Sequence, residues 1–134
     1  MSEELRWSLS VQVVSGPTTA ATGTVRADAY SKAQVVIPPR ASGADGTIDV
    51  TVSSASAELF LLKASQYVDT ADATKILQYD VNDAGAPKNL SAPLMLIGSD
   101  TIKLLADPVT KITFTNPIEV AITVDIVVGG DATP

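Results

Sequence analysis

An all-β fold, organised as one antiparallel β-sandwich, follows from three observations on this chain of 134 residues. Apolar residues recur with period two, most clearly over 118–128. There Ile118, Val120, Ile122, Val124, Ile126 and Val128 hold the even positions, and Glu119, Thr123 and Asp125 stand between them. Strand side chains alternate in this way, so the six aliphatic groups are expected on one face. Clusters of Gly, Pro, Asn, Asp and Ser punctuate the chain at intervals of about 8–12 residues, the spacing of short strands joined by turns. Aromatic residues make up only 4% against 46% hydrophobic overall. Core volume must then come from Val, Ile, Leu and Ala, which suits thin, closely packed β layers.

The elements follow in order. Leu5, Trp7, Leu9, Val11 and Val13 alternate with Arg6, Ser8, Ser10 and Gln12, predicting a half-buried strand that stops at Ser15-Gly16-Pro17. Thr18–Gly23 reads as a loop. Residues 25–37 form one long strand, or two with a bulge near Ser31, ended by Pro38-Pro39 because proline has no amide to give the ladder. Ala41–Gly46 reads as a turn in which Asp45-Gly46 suits positive φ, and Ile48, Val50 and Val52 alternate inward after it. Glu58–Ala64 is short and apolar, which suits a strand or a helical turn; its strand-rich surroundings favour strand. Asp69–Lys75 has helix-start residues and predicts one short turn of helix. Strands are expected over 76–81, 94–97, 111–114 and 118–128, and a strand or short helix over 101–105. The tally is seven to nine short strands with little helix, in a jelly-roll or Ig-like arrangement. A single domain spans 1–134, and 129–134 (Gly129-Gly130-Asp131-Ala132-Thr133-Pro134) is expected to fray.

Reactive chemistry is sparse. The chain contains no histidine and no cysteine. Ser-His-Asp and Cys-His sites are thereby impossible, as are zinc sites of the usual nitrogen and sulfur type. Ser99 and Lys103 lack the Ser-x-x-Lys spacing. Asp80-Val-Asn82-Asp83-Ala84-Gly85 resembles the start of a calcium loop, but Ala84 stands at the fifth position and Ser91 where a bidentate Glu is required. Asn, Asp and Gly are also what a plain turn selects. The expectation is a protein that is not an enzyme and takes no cofactor or metal. The net charge of -6, with nine scattered basic residues, disfavours nucleic acid and anionic membranes. Without a basic and apolar leader, the chain is expected in the cytoplasm or in a particle released from the cell.

What the sequence offers instead is sheet. The last strand has no lysine after Lys111, and exposed strand edges normally carry lysine, proline or a bulge. That strand is therefore expected to be central, or covered by another subunit. Val127 interrupts its polar face, and Trp7 is the only tryptophan. Trp7, Thr123, Asp125 and Val127 are the candidate interface residues of a homo-oligomer. In general character, over its whole length, the chain resembles small β-sandwich structural subunits of phage particles, capsid-decorating and tail proteins among them. That resemblance implies a non-catalytic subunit that self-assembles or decorates a larger protein assembly. The other reading is a β-sandwich module binding a small ligand or carbohydrate, against which the few aromatics count.

Overall fold

The computed structural model describes residues 3–12, 14–27, 29–54 and 57–130. Among these, ten strands form: β1 (Glu3–Gln12), β2 (Thr18–Ala27), β3 (Ala29–Ile37), β4 (Gly46–Thr51), β5 (Ala57–Ala64), β6 (Gln78–Val81), β7 (Lys88–Asn89), β8 (Leu94–Ile97), β9 (Lys111–Asn116) and β10 (Ile122–Gly130). One helical turn, α1 (Ser99–Ile102), lies between β8 and β9. The strands make three antiparallel sheets, in the orders β1-β2, β3-β10-β5-β8 and β4-β9-β6-β7.

Alternation dictates which side chains meet. Ile122, Val124, Ile126 and Val128 of β10 are buried, together with Phe60 and Leu62 of β5, Ile112 and Phe114 of β9, and Tyr79 and Val81 of β6; all belong to one apolar cluster. Both phenylalanines of the chain are fully buried in it. Each contributes about 1.5–3 kcal/mol by leaving water. The last strand is central: β10 pairs with β3 from Ile122↔Ile37 to Gly130↔Ala29, and with β5 from Val124↔Ala64. Its lack of lysine needs no other protection, because neither edge is open.

Residues 118–121 do not join that strand, and Asn116 is the reason. Its side chain is fully buried. Its Nδ2 donates to the carbonyls of Val120 (2.9 Å) and Pro38 (3.1 Å), and its Oδ1 accepts the Ile118 amide (2.9 Å). The Ile118 carbonyl in turn accepts the amide of Arg40 at 2.8 Å. Backbone groups that would have extended the ladder are thus bound in a corner. Val120 points outward there, 58% exposed, and so leaves the one face expected for all six aliphatic residues.

Other expectations change for local reasons. Thr18–Gly23 is part of β2 rather than a loop, because it pairs residue for residue with β1, from Gln12↔Thr18 to Glu3↔Ala27. The strand total accordingly exceeds nine. Over 69–75 the aspartates cap turns instead of starting a helix: Asp69 Oδ1 accepts the Ala71 amide (2.8 Å) and Asp72 Oδ1 the Thr74 amide (3.0 Å). Such local bonds compete with helix. The turn expected over Ala41–Gly46 forms, with the positive φ at Ser42 and Gly43 instead of Asp45-Gly46. Gly46 is needed for closeness, since a Cβ there would lie 1.8 Å from the Pro38 carbonyl oxygen. Gly129 and Gly130 belong to β10 and are buried; of the tail expected to fray, 131–134 lie outside the described residues.

Candidate interaction surface

The β1–β2 hairpin is a single layer. Its chief contact with the other sheets is where β2 meets β10. The period-two pattern of β1 places Leu5, Trp7, Leu9 and Val11 on one face, yet Leu9 is 48% and Val11 67% exposed. The expected half-buried strand is therefore mostly open to solvent, because no second layer covers it. Trp7 is half-buried by lying on its cross-strand neighbour. A Cβ on Gly23, which pairs with Trp7, would fall 2.5 Å from the indole ring. Only glycine leaves room for that stacking. Between Arg6 and Arg26 no residue is charged. Neither outer edge of the hairpin is paired among the described residues, so it shows open amides and carbonyls without the charges that usually deter pairing.

A second apolar surface lies on the outer face of the β3-β10-β5-β8 sheet. Val127 pairs with Leu61, and Leu61 with Met95. Directly opposed residues share a face. All three are half-buried and none belongs to the core cluster, so they form an outward row across three strands. Beside it the row is polar: Asp125, which accepts Gln34 Nε2 at 3.1 Å, pairs in register with Lys63. Thr123 is next, opposite Val36, and its amide donates to Ser65 Oγ at 3.1 Å.

Polar clusters elsewhere are committed to the fold. Lys111 Nζ lies 2.9 Å from Asp83 Oδ2 and 3.4 Å from Asp49 Oδ2, and Thr113 Oγ1 donates to Asp49 Oδ1 at 2.8 Å. Asn82 Oδ1 accepts from the Thr110 amide and hydroxyl and the Lys111 amide, while its Nδ2 donates to the Pro108 carbonyl (2.9 Å). The loop resembling a calcium site thus spends Asn82 on the backbone and Asp83 on an ammonium. Among the described residues, no three His, Cys, Asp or Glu side chains converge to hold a metal. Ser99 and Lys103 line a cleft of about 380 Å³ with Ser54 and Pro108, but Ser54 Oγ is occupied by the Val109 amide at 2.7 Å.

The Thr113 hydroxyl, and then Lys111, hold the Asp49 carboxyl below its ordinary value of 3.8. Thr74 does the same for Asp72. Because these folded values are depressed, the stability they contribute is complete above 3.8 and is lost as pH falls through them. Lys111 is raised above 10.5, chiefly by its bond to Asp83, so its contribution is complete below 10.5 and lost as pH rises through the raised value. Carboxyl NMR titration is expected to show Asp49 moving up towards 3.8 in Thr113→Val, with Asp72 unchanged.

The structure places the candidate residues on two sheets: Trp7 on the hairpin, and Thr123, Asp125 and Val127 on the outer face of β10. Sequence reading passed over Leu9, Val11, Leu61 and Met95. For Leu61 a signal existed: Leu59-Phe60-Leu61-Leu62 is apolar at every position, the pattern of a strand with both faces covered. For Leu9 and Val11 there was none, since alternation looks the same whether or not a second layer is present. Compared with family models, curated proteins and solved structures, the chain matches none.

Proposed function

We propose that this protein is a non-catalytic structural subunit that associates with copies of itself, or with a larger assembly, through its β1–β2 hairpin. The two four-stranded sheets, sharing one apolar cluster, serve as the layers of a β-sandwich body. The hairpin is the observation that carries the reading. A lone two-stranded hairpin is marginal in water. This one has ten paired positions, an apolar face in solvent and edges without charge between Arg6 and Arg26. Such a surface is expected to find a protein partner, since undefended edges and apolar faces promote association.

Light scattering on the purified chain tests the proposal. The expected mass at micromolar concentration is a multiple of 13.8 kDa. The double variant Leu9→Lys, Val11→Lys should associate roughly tenfold more weakly or worse, as loss of a central apolar contact does. Both positions are exposed, so its circular dichroism should match the parent. A strict monomer across that range overturns self-association, and a double variant that associates as tightly as the parent overturns the hairpin's part in it.

A further inference from the structure

We infer that the β1–β2 hairpin of one copy lies across the outer face of the β3-β10-β5-β8 sheet of a second copy, and that the second copy's hairpin returns the contact. The inference rests on the self-association reading and names the surface that receives the arm. Leu9 and Val11 present an apolar strip with nothing over it, and Val127, Leu61 and Met95 present an apolar row outside the core. The chain thereby carries both halves of a contact.

Charge favours a second copy at this place. The described chain beyond the hairpin is acidic, so two bodies meeting at random repel one another. The hairpin between Arg6 and Arg26 is neutral, and the receiving row of Val127, Leu61 and Met95 is apolar, with one charge, Lys32 opposite Val127, at its β3 end. Lys32 is exposed on the edge strand β3, where its long stem lets the ammonium reach water, and the flanking Asp125 and Lys63 oppose each other in register, so no single unpaired charge is trapped.

Area decides between one contact and two. At a rise of about 3.4 Å per residue and a strand spacing of about 4.8 Å, a ten-pair hairpin has a face of about 330 Å². Laid on a partner, it buries about 650 Å² counting both sides, which is below what specific interfaces need. Two reciprocal arms bury about 1,300 Å², inside the usual range of about 1,200–2,000 Å². Arm stacked on arm gives only the smaller figure. Exchange about a two-fold axis is therefore the arrangement that closes.

The chain has no cysteine of its own, which makes cross-linking clean. Leu9→Cys and Met95→Cys are prepared as separate full-length proteins, mixed and mildly oxidised. The expected result is a disulfide-linked pair in the mixture, at least severalfold above either variant oxidised alone. Equal cross-linking of Leu9→Cys by itself overturns the inference in favour of arm-to-arm contact. No cross-link in the mixture, while the wild-type chain scatters as an oligomer, overturns it but leaves self-association standing. A wild-type monomer removes both.

Discussion

Val124→Asp is expected to abolish soluble folding. Val124 is fully buried in the middle of β10, between Val35 of β3 and Ala64 of β5 in the ladder. Losing the valine side chain from the core forfeits about 1.5–3 kcal/mol. A carboxylate in its place has no partner and costs several kcal/mol more, unless it takes up a proton and remains a buried polar group. Against a total stability of about 5–15 kcal/mol, that sum removes most or all of the margin. Expression should shift to the insoluble fraction, and any soluble protein should lack a cooperative thermal transition. A variant that melts within a few degrees of the parent would show that this face of β10 is not packed as described. Val124→Ala provides the graded control, destabilised but folded.

Asn116→Ala is the second large effect. The substitution removes two donors and one acceptor at a fully buried position. Left behind are the Pro38 and Val120 carbonyls and the Ile118 amide, and each orphaned buried group costs about 1–3 kcal/mol. Even with partial relaxation, a loss of about 3 kcal/mol is expected, roughly 10 °C in Tm for a chain of this size. Asn116→Asp separates the geometry from the volume. It keeps the acceptor for Ile118 but turns a carboxylate oxygen towards two carbonyls, so it should destabilise as much as alanine despite its shape. Differential scanning calorimetry of the two variants measures both effects. If Asn116→Asp matches the wild type, the corner is not held by those two donated bonds.

These two residues also mark the boundary of what the sequence makes legible. Val124 lies in a run whose period is unmistakable, and the core positions of β10 follow from it. Asn116 precedes proline and reads only as a turn residue. Its three bonds reach Pro38, Ile118 and Val120, and the bond to Pro38 crosses from a distant loop. That pairing exists only once the topology is set. The first part of β2, Thr18–Gly23, escaped notice for a related reason. Its Thr-Thr-Ala-Ala-Thr-Gly-Thr run has little hydrophobic contrast, and its strand character comes from pairing with β1 outside the core. The interaction surface was half visible: Val127 and Trp7 stood out by type, whereas Leu61 and Met95 join Val127 only through sheet register.

The central position of β10 bears on how the chain is made. It is the last of the ten strands to be synthesised, yet it separates β3 from β5, which have no ladder with one another. On a ribosome, β3 must wait with no ladder partner, and β5, paired to β8, with one open edge, until residues 122–130 emerge. Closure of that sheet is a late, long-range event, and topologies of this kind fold slowly. During the wait, Val35, Ile37, Phe60 and Leu62 have no β10 to pack beside, and a nascent chain in that condition is a natural client for chaperones. Truncation before β10 should then leave the nascent chain chaperone-bound rather than merely shortened.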